Sequence, residues 1–400
     1  MGCDRLLTAI VRFVERCLRV KRKSLCLMSD KKIMVTRSSM PSFEEYCEEI
    51  RPLWETHMLS NGGAKHQQFT EALEQYLDVP AIQLFVNGHS ALECLLDALD
   101  LKADGRNEII TTPYTFVSTT NAIVRRGYKP VFVDIKSDDF TMDPSKIEAL
   151  ITDKTCAILP VHVYGNICDV EEIQQIADKY DLKVIYDAAH AFGTKKNGIS
   201  VGNFGDASMF SFHASKVFNS IEGGAIAHNS DQLSKALSQW RNFGIASAER
   251  VVYPGGNAKM NEFTASMGIC NLRHVDEEIS KRKTIAERYF DNLDGVKGLR
   301  IIRPNADEEH NYIYMPIVFE DEFGTSRDMV AQALFDRDIV ARKYFYPLVT
   351  DADCYRGDYD SFNTPIARDA ADRVLTLPMY ADLALEDVDR ICDIVKNNAQ

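Results

Sequence analysis

A series of short apolar runs, separated by longer amphipathic stretches, constrains the fold of this 400-residue chain. Each run is long enough for one buried strand and too short for a helix. Strands that alternate with helices require right-handed crossovers, which build a largely parallel sheet. The pattern therefore predicts an α/β fold in which helices flank a mostly parallel central sheet. The predicted strands are residues 82–86, 108–112, 130–134, 157–161, 184–186 and 207–212.

Reactive side chains follow the last two of these strands. Asp187 comes directly after one strand, and Ser211, His213 and Lys216 lie at the end of the next. Open α/β sheets bind ligands at the carboxyl ends of their strands, so we expect these side chains on one rim. A carboxylate, a hydroxyl, an imidazole and an amine suit a cofactor with a basic ring nitrogen, a phosphate and an aldehyde. Pyridoxal 5′-phosphate (PLP) has all three groups.

Each residue type has a specific use with that cofactor. Burial lowers the pKa of a lysine amine, so Lys216 is expected to form a Schiff base with the aldehyde. A carboxylate at Asp187 would keep the pyridine nitrogen protonated and make the ring an electron sink. His190 is placed to hydrogen-bond the phenolic oxygen of the ring, and Ser211 to reach the phosphate. Lys216, Asp187 and His190 are therefore the predicted catalytic residues.

Taken singly, these residues have simpler interpretations. A lysine is usually a solvated charge, and an aspartate after a strand is usually a turn or cap residue. The functional interpretation depends on the whole arrangement, in which Glu222-Gly223-Gly224 follows the lysine and allows close backbone approach.

The arrangement resembles a known family. The segments DAAHAFG (187–193) and SFHASK (211–216), followed by EGG (222–224), are similar to signatures of the DegT/DnrJ/EryC1/StrS sugar aminotransferases. The resemblance runs from about Ile33 to the C-terminus. It implies a fold-type I PLP transferase with a smaller C-terminal α+β domain. It also implies glutamate as amino donor and a nucleotide-linked keto sugar as acceptor.

The resemblance assigns further cofactor-binding residues. Gly88, His89 and Ser90 open a helix whose N-terminus is a ready anion site, although from these residues alone an ordinary serine cap is the better explanation. Family members hold the PLP phosphate at the matching turn, with threonine where this chain has His89. The residue that matches Phe116 stacks on the pyridine ring. An asparagine like Asn257 reaches the phosphate of a partner subunit, which implies a homodimer with shared active sites.

The acceptor and the reaction class leave alternatives open. The first expected acceptor is dTDP-4-keto-6-deoxyglucose, in the biosynthesis of lipopolysaccharide or a related cell-surface polysaccharide. A 3-keto sugar and an inosose are the alternative acceptors. The alternative function is that of a regulatory protein that binds PLP without turnover. Lys216 argues against the dehydratases of the family, which carry histidine there. An NAD-linked oxidoreductase would need a glycine fingerprint that the sequence lacks.

Composition restricts the partners and the compartment. A net charge of −13 argues against nucleic acid or an anionic membrane as the main partner. The ten cysteines are scattered without a CxxC pair, which favours reduced thiols in a cytoplasmic protein. We find no zinc-ligand spacing and predict no metal site.

The two ends of the chain differ from its centre. Residues 6–20 are apolar but too short and too charged to span a bilayer, and Leu6 stands where a myristoylation signal needs serine or threonine. We expect residues 1–33 to be a disordered or loosely helical extension, 34–270 a large PLP-binding domain, and 271–400 a small domain. A long helix over 262–293 is the predicted hinge. In the small domain, 342–348 is predicted as a strand whose cations, Arg342 and Lys343, either meet the substrate diphosphate or are simply solvated.

Overall fold

The computed structural model describes residues 32–102 and 104–399, and its central feature is a seven-stranded sheet. The strands lie in the order β1-β7-β6-β5-β4-β2-β3. Pairing is parallel throughout from β3 to β6, whereas β7 runs antiparallel to both of its neighbours. The predicted mostly parallel sheet is confirmed. Its strands are β1 (Ala81–Phe85), β2 (Glu108–Thr111), β3 (Lys129–Phe132), β4 (Thr155–Leu159), β5 (Lys183–Asp187), β6 (Ala207–Ser211) and β7 (Gly224–His228).

Helices cover both faces of this sheet, which explains why its strands are continuously apolar. Side chains alternate between the faces of a strand, so Val184 and Ile185 of β5 pack into two different hydrophobic cores. The helices are α1 (Phe43–Ile50), α2 (Leu53–Thr56), α3 (Ala64–Leu77), α4 (Gly88–Ala98), α5 (Ser118–Arg125), α6 (Val170–Tyr180), α7 (Asp231–Trp240), α8 (Glu262–Leu272), α9 (Val275–Leu293), α10 (Arg327–Phe335), α11 (Pro365–Arg373) and α12 (Leu385–Lys396).

A second, smaller sheet follows α9. Its antiparallel strands are β8 (Leu299–Ile301), β9 (Met315–Phe319) and β10 (Val374–Leu377), with β9 in the centre. This sheet has its own core with side chains from α9, α10 and α12. Ile33 joins that core, and its N–H donates to the carbonyl of Asp338 at 2.8 Å. The domain boundaries at residues 33 and 270 stay a prediction.

The predicted hinge helix over 262–293 is wrong in one respect, because it is two helices. α8 ends at Leu272, and α9 begins at Val275. Between them, the Arg273 guanidinium pairs with Glu45 at 3.0 Å and Glu49 at 2.5 Å. These ion pairs hold the end of α8 against α1.

Two other predicted elements differ from the structure. Between β3 and β4 the sequence predicts a helix that contains residues 144–150, but the structure has a pair of 3-10 turns there, Pro144–Lys146 and Glu148–Leu150. The strand predicted at 342–348 does not form, because only Arg342 makes a bridge, to Thr376 of β10. Beyond it, the Tyr344 carbonyl accepts hydrogen bonds from side chains instead of from a neighbouring strand.

Some of the sequence predictions concern residues that the structure does not describe. The predictions for residues 1–31 lie beyond the described residues. Within the described part, no helix combines the length and apolarity that a membrane crossing needs. The cysteines described there are free thiols: Cys47, Cys94, Cys156, Cys168, Cys270, Cys354 and Cys392.

Candidate active site

A cavity of about 430 Å³ opens at the rim where β5 and β6 end and β7 begins. Register explains why this rim collects residues that are distant in sequence, since Gly224 of β7 lies between Phe85 of β1 and Ser211 of β6. Further walls come from the part of the chain after α9 that forms the smaller sheet, which we call the second unit. The predicted site residues that line the cavity are Gly88, His89, Phe116, Asp187, His190, Ser211 and Lys216.

Lys216 lies in a turn just after β6. Its backbone N–H donates to the carbonyl of His213 at 2.9 Å, which turns the side chain back toward the rim. Burial lowers the pKa of the Lys216 amine to about 8, although the nearby carboxylate of Asp187 opposes the shift. About a tenth of this amine is therefore uncharged and nucleophilic at pH 7, and this fraction rises to half at pH 8.

Asp187 ends β5 with its carboxylate buried. Thr119 donates its hydroxyl to Oδ2 at 2.8 Å, and the Ala189 N–H donates to Oδ1 at 3.1 Å. Burial raises the pKa of Asp187, and these two hydrogen bonds and Lys216 offset only part of the rise. The sequence analysis missed Thr119, whose only signal was its position in the first turn of α5, after the loop that follows β2.

His190 is held in one orientation. Its Nδ1 accepts the Tyr164 N–H at 3.3 Å, so the neutral ring must carry its proton on Nε2. Burial, and to a lesser degree Lys216, keep the pKa of His190 well below its usual value. The Phe345 ring stacks parallel to the imidazole with centroids 5.7 Å apart, and Tyr314 meets it edge-on at 5.2 Å. The site therefore contains a neutral, oriented N–H donor.

The start of α4 forms a corner of the cavity. Asn87 caps the helix, because its Oδ1 accepts the Ser90 N–H at 2.7 Å. The cap is therefore Asn87 and not Ser90, and Ser90 is not among the residues that line the cavity. The N–H groups of Gly88 and His89 belong to the first turn, where no intrahelical acceptor exists. A phosphate role for Ser90 stays a prediction.

Glycine is required where β7 passes this corner. A Cβ on Gly224 would lie 2.5 Å from the Gly88 nitrogen and 2.6 Å from the Asn87 carbonyl carbon. On its other side, Gly88 faces Ser211, whose Cβ would lie 3.0 Å from a Cβ added to that glycine. The predicted close backbone approach at Gly224 is thus present, and it brings the helix N-terminus and the Ser211 hydroxyl together.

Three other residues discussed from the sequence occupy different surroundings. His89 lines the cavity, and its Nδ1 lies 2.8 Å from the Ser118 hydroxyl. Phe116 also lines the cavity and is 57% exposed, which leaves a ring face free. Asn257 is exposed, pairs with Asn242 in an isolated bridge, and is absent from the cavity lining.

His162 has a structural role. Its ring is fully buried and stacks on Tyr186 with centroids 4.6 Å apart. Its Nδ1 accepts the Cys168 N–H at 3.1 Å, and the cavity lining does not include it. From the sequence, a histidine at the end of this strand is equally compatible with a structural and a catalytic role, and the structure favours the structural one.

The second unit contributes an aromatic wall that the sequence analysis did not predict. Tyr314, Tyr344 and Phe345 all line the cavity. The neighbouring cations lie outside it: Lys343 pairs with Asp328 at 2.7 Å, and Arg342 is exposed with its guanidinium 5.7 Å from the Tyr344 ring centre.

Comparison with known proteins places this site in a family. Residues 42–396 match the DegT/DnrJ/EryC1/StrS aminotransferase family. An Escherichia coli dTDP-4-amino-4,6-dideoxy-D-glucose transaminase is 43% identical over 373 residues, which cover 92% of this chain and 99% of the relative.

Solved structures agree with that match. The structure of DesI in the presence of its TDP-sugar product has a TM-score of 0.87 at 29% identity, covering 92% of this chain and 93% of DesI. The PLP form of the sugar aminotransferase Spr1654 from Streptococcus pneumoniae has a TM-score of 0.83 at 26% identity, covering 90% and 97%. The predicted fold and family are confirmed: this chain belongs to the DegT/DnrJ/EryC1/StrS family of PLP-dependent sugar aminotransferases.

Proposed function

We propose that this chain uses PLP to move the amino group of glutamate to the C4 ketone of dTDP-4-keto-6-deoxyglucose. One observation carries the proposal. The half-buried Lys216 and the buried carboxylate of Asp187 follow neighbouring strands and face one cavity. An amine and an acid that line one cavity suit the aldehyde and the ring nitrogen of one heteroaromatic molecule.

The residues present fit PLP. Asp187 is a buried acid whose pKa burial raises, so a protonated ring nitrogen would supply the positive charge that its surroundings lack. The corner formed by Gly88, His89 and Ser211 offers N–H and hydroxyl donors to a phosphate. The exposed face of Phe116 suits a flat ring.

The chain divides the work of the reaction among these side chains. PLP supplies an aldehyde that accepts an amine and a ring that withdraws electrons from it. Lys216 would hold the aldehyde carbon through its amine, and the same amine would move a proton at the carbon that bears the nitrogen. Asp187 would hold the ring nitrogen protonated, and His190 would donate its Nε2–H to the phenolic oxygen. Glutamate becomes 2-oxoglutarate and the sugar ketone becomes an amine, so no external oxidant or reductant is needed.

The acceptor assignment rests on the relatives and on the mouth of the cavity. The name of the Escherichia coli relative specifies a dTDP-linked 4-amino-4,6-dideoxy sugar, and 99% of that protein aligns with this chain. Arg342 is exposed beside Tyr344, where a diphosphate could meet it. We place the activity in the cytoplasm, in the biosynthesis of lipopolysaccharide or a related cell-surface polysaccharide.

Spectroscopy of the PLP-loaded protein tests the proposal. Glutamate should lower the visible absorption of the loaded protein with formation of one 2-oxoglutarate per site, and dTDP-4-keto-6-deoxyglucose should then restore it. Restoration only by a 3-keto sugar, an inosose, or a GDP- or UDP-linked sugar would overturn the acceptor. An absorption that no amino donor changes would instead indicate a PLP-binding protein without turnover.

We also propose that two copies assemble into a homodimer with shared sites, as the sequence resemblance implies. The hairpin Ile245–Ser247 and Arg250–Val251 lies close to Asn257 in sequence and exposes apolar side chains. Val251 is 66% exposed, and Phe243 beside the hairpin is 48% exposed. Adjacent exposed apolar groups of this kind are typical of protein interfaces. Asn257 would then reach the phosphate in the partner's cavity.

A further inference from the structure

A buried pair of tyrosines holds the segment that covers the cavity. We call residues 343–348 the strap, because Tyr344 and Phe345 within it line the cavity from the second unit. The Tyr164 hydroxyl donates a short hydrogen bond to the Tyr344 carbonyl. The Tyr114 hydroxyl lies 2.6 Å from that of Tyr164 and 3.3 Å from the same carbonyl. Tyr164 therefore holds the strap directly through this hydrogen bond, and Tyr114 contacts both the Tyr164 hydroxyl and the Tyr344 carbonyl.

Tyr164 also contacts the catalytic histidine. Its backbone has φ 58° and ψ 7°, a left-handed conformation that bulky residues rarely adopt. In this conformation its N–H donates to His190 Nδ1 at 3.3 Å, while its hydroxyl points toward the strap. Its ring stacks on Phe345 with centroids 6.0 Å apart and planes 12° apart. One residue thus contacts both the histidine and the segment that packs on it.

The strap and the histidine are packed together. Phe345 stacks on His190 with the planes 6° apart, and Tyr344 packs on Tyr314, which meets His190 edge-on. Movement of the strap would therefore release the imidazole from its orientation.

We propose that Tyr164 is a positioning residue: its N–H fixes the His190 proton on Nε2, and its hydroxyl fastens the strap over the cavity. The inference deepens the proposed function and rests on it for what the cavity holds. Tyr164 is 1% exposed and absent from the cavity lining, so it acts through Tyr344, Phe345 and His190 and not by touching substrate. Burial also raises the pKa of Tyr164 well above its usual value, which keeps the hydroxyl a donor.

Hydrogen–deuterium exchange of the cofactor-free protein tests the fastening directly. In Tyr164→Phe, the peptide spanning residues 342–349 should exchange about fivefold faster than in wild type, because one buried hydrogen bond is lost. Tyr114→Phe should give a smaller increase, since the Tyr164 hydroxyl keeps its acceptor. Tyr289→Phe is the matched control: its buried hydroxyl donates to the Pro378 carbonyl at 2.9 Å, away from the cavity lining.

Activity gives the second readout. With the PLP-loaded protein, kcat/KM should fall about fivefold or more in Tyr164→Phe and stay unchanged in Tyr289→Phe, even where the two variants lose equal melting temperature. Wild-type exchange of the strap in Tyr164→Phe, or equal acceleration in Tyr289→Phe, would overturn the proposal. If Tyr164→Phe does not fold, unchanged strap exchange in Tyr114→Phe overturns it instead. Because exchange is measured without cofactor, a failed transaminase assay leaves that result intact.

Discussion

Burial opposes both charged residues at the centre of the site. It lowers the pKa of the Lys216 amine to about 8 and raises the pKa of the Asp187 carboxyl. Each group is therefore pushed toward its neutral form, and their mutual attraction offsets only part of that effect. Ionisable groups that remain in such surroundings lower the stability of the fold and are typical of functional sites. Substituting Lys216 or Asp187 is therefore expected to affect stability and activity differently.

The first residue-scale prediction concerns Lys216. Below pH 8 the cofactor-free protein must hold a buried ammonium, so Lys216→Met should be more stable than wild type by roughly 1–3 kcal/mol at pH 7. Between pH 8 and the ordinary lysine pKa of 10.5, the unfolded chain binds more protons than the folded one. Wild-type stability should therefore rise through this range and the difference should vanish.

Urea unfolding at a series of pH values measures this difference. Lys235→Met, at an exposed lysine on α7, is the control and should show no such pH-dependent difference. Equal stabilities of wild type and Lys216→Met at pH 7, or a difference that widens as the pH rises, would contradict the assignment of a destabilised amine.

The second residue-scale prediction concerns Asp187. Asp187→Asn should lower turnover at least a hundredfold, because the ring nitrogen loses the charge that keeps it protonated. Folding of the cofactor-free protein should persist, since burial raises the pKa of this carboxyl and its charge therefore does not stabilise the fold. Melting curves and steady-state rates measured on the same preparation check this. A fall in melting temperature large enough to explain the loss of activity would indicate a structural residue.

Sequence reasoning predicted side chains that line the cavity and missed the buried residues that contact them from outside it. Asp187, Ser211 and Lys216 stand at strand ends, and strand ends are visible as changes from apolar to polar residues. Thr119 contacts Asp187 across 68 positions, and Tyr164 contacts Tyr344 across 180. Such contacts depend on how distant segments pack, and a single sequence carries no local signal for them.

At the scale of elements, β7 was not predicted from the sequence. The other six central strands were predictable because burial on both faces makes them continuous apolar runs. Elements whose ends depend on a distant partner were not. The break between α8 and α9 coincides with the ion pairs that Arg273 makes to α1. In the strap, the Tyr344 carbonyl accepts a hydrogen bond from the Tyr164 hydroxyl and not from the backbone of β10. The local sequence pattern thus indicates these strands, whereas tertiary contacts explain where α8 ends and α9 begins.

The close packing of β7 against the start of α4 gives an element-scale prediction. Gly224→Ala would push a methyl group into the Asn87–Gly88 backbone and displace the helix N-terminus, so the affinity for PLP should fall about tenfold or more. Gly268→Ala in α8 is the control, because its methyl group would meet the Phe69 ring, outside the cavity lining. Absorbance titration with PLP measures the affinity. Equal weakening in both variants would show that general destabilisation is responsible.

At the scale of the whole molecule, the site is assembled from separate parts of the chain. The large sheet supplies Asp187, Ser211 and Lys216, whereas the second unit supplies Tyr314 and the strap. The proposed dimer adds a further part, because Asn257 is exposed and lies outside its own subunit's cavity lining. A contribution from Asn257 to phosphate binding is therefore simplest to explain if it acts on the partner subunit.

Mixed dimers decide whether Asn257 acts across the interface. Lys216→Ala should be inactive because it lacks the amine, and Asn257→Asp should be nearly inactive because a carboxylate repels the phosphate. When the two are unfolded and refolded together in equal amounts, about half of the dimers contain one subunit of each kind. In these, the cavity that keeps Lys216 faces the intact Asn257 of the other subunit, so about a quarter of wild-type activity should return. If Asn257 acts on its own subunit, every cavity in the mixture carries a defect, and no activity returns.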